Sequence, residues 1–171
     1  MDHVYAHPAA SSQEQLLAEC QVRRLRRSGP GGQHRNKVET AVELRHRPTG
    51  VTAQASERRS QAENRSVALR RLRVKLALKV RGPAGMQQAP SPLWQSRCHQ
   101  GRIAVSPTHD DFPTILAEAL DAITHAEADV RQAAAGLGCT TSQLVGLLNK
   151  EPGAMAMVNQ WRQARGLPPL Q

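Results

Sequence analysis

The spacing of apolar side chains changes period several times along the chain, and each change marks an element. Ser11 or Ser12 stands before Gln13 to Glu19, where Leu16 and Leu17 share an inward face. A hydroxyl in that place accepts from the free N–H groups of a first helical turn, so a short helix is expected. From Cys20 to Arg27 the residues suit a strand better than a helix, although Arg23, Arg24, Arg26 and Arg27 blur the alternation. Ala41 to His46 alternates clearly, with Val42, Leu44 and His46 against Glu43 and Arg45. Pro48-Thr49-Gly50 then turns the chain, and Val51, Ala53 and Ala55 line one face of a return strand.

The period next becomes helical. Ser60-Gln61-Ala62-Glu63 has the spacing of a capping box and opens a helix expected to reach about Val80. Leu69, Leu72, Leu76 and Val80 form its buried stripe, while Arg65, Arg70, Arg71, Arg73, Lys75 and Lys79 take other faces. The first part of the chain therefore predicts an α+β layer: a three-stranded sheet packed by one long helix, with an exposed loop between its first two strands.

Gly82 to Pro92 lacks periodicity and reads as a linker. Trp94 to Pro107 reads as irregular, with a short strand over Arg102 to Val105. Asp110 or Asp111 is placed to cap a helix through about Ala126, whose apolar face is Ile115, Leu116, Ala119, Leu120 and Ile123. Helical stretches follow near Glu127 to Leu137, Thr141 to Asn149 and Pro152 to Arg165. The division expected is a domain over 1–82, a linker over 83–92 and a small all-α module over 93–171. Within that module Ala134, Gly138, Leu144 and Leu147 take the small, turn and core positions of a helix-turn-helix, with Thr140 or Thr141 capping its second helix.

Charge sharpens this division. Residues 1–82 carry 17 Lys and Arg against 7 Asp and Glu, a net of +10, whereas residues 83–171 carry 6 against 7, a net of −1. A surplus confined to one part implies a polyanionic partner, most simply RNA or DNA. The would-be recognition helix, Ser142 to Asn149, has no Lys or Arg, which disfavours a DNA-reading regulator. Aromatic residues make up 2% of the chain, so rows of stacked aromatics are not the mode of binding. Cys20, Cys98 and Cys139 lack metal-ligand spacing and suggest a reducing compartment. Cys98, His99, His109, Asp110 and Asp111 lack a diagnostic metal pattern, and neither a metal nor a cofactor is expected. With no apolar run of about 20 residues and no basic leader, the expected location is the cytoplasm, with no membrane partner.

The candidate chemistry lies in Ser28-Gly29-Pro30-Gly31-Gly32-Gln33-His34-Arg35-Asn36-Lys37. This stretch has three glycines, one proline and no large apolar side chain, so its backbone shape and N–H donors are what a ligand would meet. Together with Glu39-Thr40-Ala41-Val42, Pro48-Thr49-Gly50 and Arg59-Ser60-Gln61, followed by Asn64 and Ala68, it closely resembles the GGQ domain of class I peptide chain release factors and their ribosome-rescue relatives. The resemblance covers about Cys20 to Leu78.

It implies hydrolysis of the ester that joins a peptide to the terminal adenosine of tRNA, in the peptidyl transferase centre of the large ribosomal subunit. By the same resemblance Gly31 and Gly32 let the chain fold tightly beside the tRNA end, the backbone N–H of Gln33 meets the developing oxyanion, and the Gln33 side chain excludes nucleophiles other than water. An activated ester attacked by water needs an oriented nucleophile and an oxyanion donor, without a covalent intermediate. Arg26, Arg27, Ser28, His34, Arg35, Asn36, Lys37, Arg58, Arg59 and Arg65 are then the residues expected to meet rRNA or tRNA. The resemblance also admits a glutamine methyltransferase as a partner, and the protein is expected to be a monomer off the ribosome.

The C-terminal part departs from that family. It resembles neither a codon-recognition domain nor the Lys/Arg-rich tail of short rescue hydrolases, which points to codon-independent release, with the helical module as a docking element. The competing reading is a ribosome- or RNA-binding factor that keeps the domain shape without catalysis. A damaged GGQ would favour it, and here the motif is intact.

Overall fold

A computed structural model describes residues 7–25, 40–82 and 89–171. A 3₁₀ turn at Pro8–Ala10 leads into α1 (Gln13–Ala18). Ser12 caps α1 reciprocally: its hydroxyl accepts from the Gln15 N–H, and the Gln15 side chain accepts from the Ser12 N–H. Strands β1 (Cys20–Leu25), β2 (Ala41–His46) and β3 (Thr52–Ala55) form an antiparallel sheet in the order β1-β2-β3. Alternation on β2 and β3 buries Val42, Leu44, His46, Ala53 and Ala55. β1 is an edge strand, and its residues Gln21, Val22, Arg23 and Arg24 are exposed. Arginines on an edge oppose pairing with another sheet.

His46 closes the β2–β3 hairpin from inside. Its Nε2 donates to the Glu19 carboxylate at 2.9 Å, and Nδ1 lies 2.7 Å from the Thr49 hydroxyl. The turn is completed by Gly50 at φ +70, a conformation that a Cβ disfavours.

Helix α2 (Gln61–Lys79) covers β2 and β3. Ser60 caps it by accepting from the Glu63 N–H. Asn64, Ala68, Leu69, Leu72, Leu76 and Ala77 are buried, and Val80 is half-buried just beyond the helix. The flank of α2 away from the sheet packs against α4 (Phe112–His125). α4 is buried nearly all round, as a helix between two layers must be.

Two carboxylates one turn apart on α4 tie down the chain on either side of residues 83–88. Asp121 accepts from the Gly82 N–H at 2.9 Å and from the Arg81 guanidinium at 3.1 Å. Glu118, fully buried, accepts from the Ser91 N–H at 2.7 Å and the Ser91 hydroxyl at 2.6 Å. The hydrophobic core is continuous, from Leu44 and Leu72 through Ile115 and Leu120 to Leu147 and Val158.

The stretch from Trp94 to Pro107, expected to be irregular, begins as a helix. α3 (Pro92–Arg97) starts on the Ser91 cap with Pro92 in its first turn, and Trp94 is buried with its indole N–H donating to Leu137 O at 2.8 Å. β4 (Cys98–His99) and β5 (Arg102–Ile103) then pair as a minimal hairpin. Asp111 stands at the N-cap of α4, but its carboxylate does not cap. Arg97 holds it at 2.7 and 2.9 Å, because a charge-assisted pair outcompetes a neutral N–H.

Helices α5 (Val130–Gly136), α6 (Thr141–Leu148) and α7 (Pro152–Ala164) complete the chain. α5 starts later than Glu127 because Glu127 and Ala128 sit at φ 51 and 66, outside helical space, and Asp129 supplies the cap. α5 and α6 pack together about a turn with Gly138 at φ +65. Thr140 caps α6, and Ala134, Leu144 and Leu147 are buried.

Candidate functional site

Three elements meet at one end of the sheet. Leu25, the last residue of β1, is the register partner of Ala41, the first of β2, and Val42 is the partner of Ala55, the last of β3. Antiparallel partners stand about 5 Å apart between Cα atoms, so the chain leaves the sheet and returns to it at one point. Every residue of the candidate string from Arg26 to Lys37 lies between these two anchors, outside the described residues. That covers Gly31, Gly32, Gln33, Arg26, Arg27, Ser28, His34, Arg35, Asn36 and Lys37.

What is described is the root that holds them. Asn64, in the first turns of α2, is fully buried and points back under the sheet end. Its Nδ2 donates to Thr40 O at 2.7 Å and to Arg58 O at 3.0 Å, while its Oδ1 accepts from the Arg58 N–H at 2.9 Å. One amide thus binds Thr40, which leads into β2, to the turn between β3 and α2. Only a side chain with both donor and acceptor in one plane makes this set. The long-range bond from Asn64 to Thr40 has no local signal in the sequence and requires the fold.

A second brace lies beside it. Arg71 donates to Gln54 O at 2.9 Å and grips the Glu57 carboxylate, whose oxygen also accepts from the Ser56 N–H at 2.8 Å. The Glu57 carboxyl is held below its usual range, first by the backbone N–H groups of Ser56 and Glu57, then by Arg71. The turn is therefore fixed at both Glu57 and Arg58.

Arg58, Arg59 and Arg65 are exposed at this end, and none is in an ion pair among the described residues. Arg58 and Arg59 lie in the turn between β3 and α2, and Arg65 follows Asn64 on α2. Cys20 and Cys98 are pushed above the ordinary thiol range by burial, and Cys139 is pushed up to about 12, so none is a ready thiolate nucleophile. Among the described residues no cluster of His, Cys, Asp and Glu could hold a metal ion, and no helix is long and apolar enough to cross a membrane.

Comparison with known proteins agrees with this architecture. The family model of the RF-1 domain matches residues 14–102, slightly more than half of the chain, and the chain belongs to that family. The match includes all of α1 but its first residue, the sheet, α2, α3, β4 and the first residue of β5. The chain is 50% identical over 58 residues to peptide chain release factor 1 of Ureaplasma parvum, a match covering 34% of this chain and 16% of that protein. It is 49% identical over 59 residues to peptide chain release factor 2 of Variovorax paradoxus, again 34% and 16%. It is 42% identical over 72 residues to peptide chain release factor 1 of Acidiphilium cryptum, covering 42% and 20%. The chain thus matches a fifth or less of the length of these relatives.

Proposed function

We propose that this protein hydrolyses the ester of peptidyl-tRNA on the large ribosomal subunit without reading a stop codon, releasing peptide from stalled complexes. The observation that carries the reading is an intact Gly31-Gly32-Gln33 inside a ten-residue release-factor string, in a chain of the RF-1 family whose residues Leu25 and Ala41, on either side of that string, are paired in the sheet.

In this reading the backbone N–H of Gln33 donates to the developing oxyanion, its side chain admits water, and Gly31 and Gly32 permit close approach to the tRNA end. Arg26, Arg27, Ser28, His34, Arg35, Asn36 and Lys37 meet rRNA or tRNA beside the reaction, and Arg58, Arg59 and Arg65 meet phosphates at the root. A glutamine methyltransferase is the partner that would modify Gln33, and the protein works as a cytoplasmic monomer.

Codon independence is supported by what the chain builds after residue 102: α4 to α7 are helices packed on the family domain, with a near-neutral charge unsuited to gripping mRNA phosphates. We assign residues 93–171 the role of docking, and residues 1–82 that of delivery and chemistry. The test is peptide release from ribosomes carrying P-site peptidyl-tRNA, with the A site empty or holding a stop or sense codon. Equal release in every case supports the proposal, and release confined to stop codons refutes its codon-independent part.

A further inference from the structure

The stripe Leu69, Leu72, Leu76 accounts for one apolar face of α2, yet the helix has a second. Val67, Val74 and Leu78 recur at helical spacing on a different side, and all three are only half-buried. They floor a groove of about 670 Å³ between α2 and the C-terminal helices, whose far wall includes Pro107, Lys150 and Glu151. Gly153, at the start of α7, lies against Leu78: a Cβ there would stand 3.1 Å from Leu78 Cδ1.

The rim is cationic. Arg70, Arg71, Lys75 and Lys150 line the groove with Glu151 as its one lining carboxylate, and that carboxylate is turned to cap α7 by accepting from the Gly153 N–H at 3.3 Å. Arg70, Lys75 and Lys150 donate to Pro107 O, Thr52 O and Val105 O. These bonds orient the three cations without neutralising them, and none is in an ion pair among the described residues.

We propose that this groove docks an acidic amphipathic segment of a partner protein, its apolar side chains on Val67, Val74 and Leu78 and its carboxylates on Arg70, Lys75 and Lys150. From Val67 to Leu78 the floor runs eleven positions, about 16 Å, which matches about three turns of a helix laid along it. RNA is the less suited occupant. Its phosphates would satisfy the rim, but its bases need exposed aromatic faces, and the floor is aliphatic with Phe112 only 2% exposed. The residues named for this site lie outside the candidate string in sequence, and binding there does not depend on ester hydrolysis.

The test uses the full chain and fluorescence anisotropy with three labelled probes. One is a 14-residue peptide of Leu at positions i, i+3, i+4 and i+7 among Glu. The second has the same charge with Ser for Leu, and the third is a single-stranded oligouridine of equal length. The Leu/Glu peptide is expected to bind at least about tenfold more tightly than the other two, and less tightly as salt rises. Val74→Glu and Lys150→Glu should each weaken it about tenfold while the melting temperature holds; Val74→Ser replaces Val74→Glu if the latter unfolds. Equal binding of the Ser/Glu peptide, tighter binding of oligouridine, indifference to these substitutions, or no peptide binding would each overturn the proposal. So would self-association lost on Val74→Glu, which would make the occupant a second copy of the chain.

Discussion

The Asn64 amide donates to Thr40 O at 2.7 Å across 24 residues of sequence, and so couples the first turns of α2 to the residue that leads into β2, three positions after Lys37. The same side chain exchanges two bonds with the Arg58 backbone, which makes it the joint between sheet, turn and helix. Replacement by Leu would leave Thr40 O and both Arg58 backbone groups without this partner, at about 1–3 kcal/mol for each group left buried and unsatisfied. Asn64→Asp keeps the acceptor for the Arg58 N–H but turns an oxygen toward two carbonyl oxygens. Both variants are expected to lower the melting temperature and to cut peptide release by more than they cut ribosome binding. Unchanged release in a folded Asn64→Asp protein would show that the joint does not position the string.

Arg58, Arg59 and Arg65 are exposed at the sheet end without carboxylate partners among the described residues, the disposition expected of phosphate contacts. Alanine at all three should weaken binding to large ribosomal subunits and reduce the slope of log affinity against log salt by about 2–3, since each phosphate contact contributes about 0.7–0.9. An unaltered slope would assign these arginines to solvated surface.

His7 predicts a pH dependence. Its Nδ1 accepts from the Ala9 N–H at 3.0 Å, and its Nε2 faces Val80 O at 3.1 Å, so the neutral ring with hydrogen on Nε2 satisfies both. Burial lowers its pKa, with the Arg81 charge adding to this and the bond to Val80 and the Asp121 charge opposing it. The unfolded residue titrates near about 6.5, so below that pH the unfolded state binds more protons and the contribution of His7 fades; above it the contribution is complete. The melting-temperature advantage of wild type over His7→Phe should therefore shrink between pH 7.5 and 5. An advantage independent of pH would contradict a neutral buried imidazole.

The hydrophobic core is continuous across the two charge halves, so they are expected to unfold together. Leu72, on α2, is fully buried, and Leu72→Ala should cost about 2–5 kcal/mol. Both tryptophans lie in the C-terminal part, Trp94 on α3 and Trp161 on α7. Their fluorescence should report that loss as a lower urea midpoint, coincident with circular dichroism. A tryptophan transition left in place by Leu72→Ala would mean that the C-terminal helices unfold independently.

Much of this fold is legible along the chain because it rests on local chemistry. Period-two alternation over Ala41 to His46, the Pro48-Thr49-Gly50 turn, and the caps at Ser12, Ser60 and Thr140 each act within a few residues. α3 carries its own signal, Ser91-Pro92, but it is short and follows a stretch without periodicity, so Trp94 reads as irregular until its burial is seen. Asp111 looks like a cap because the competing Arg97 lies fourteen residues away. The second face of α2 is masked by Arg70, Arg71 and Lys75, which interrupt Val67, Val74 and Leu78. The Asn64 to Thr40 bond and the acids of α4 that bind Gly82 and Ser91 are tertiary facts, and no window of sequence contains both partners.

The most direct test of the account is single-turnover peptide release from ribosomes stalled with peptidyl-tRNA in the P site and no codon in the A site, comparing wild type with Gly32→Ala and Gln33→Ala. The account predicts rapid release by wild type and, with ribosome binding retained, a loss of at least about a hundredfold in Gly32→Ala, where a Cβ misplaces the neighbouring Gln33 N–H on the scale of a lost oxyanion donor, and a loss in Gln33→Ala, which keeps that N–H but not the side chain that admits water. Release at the wild-type rate by both variants, or none by the wild type, would contradict it.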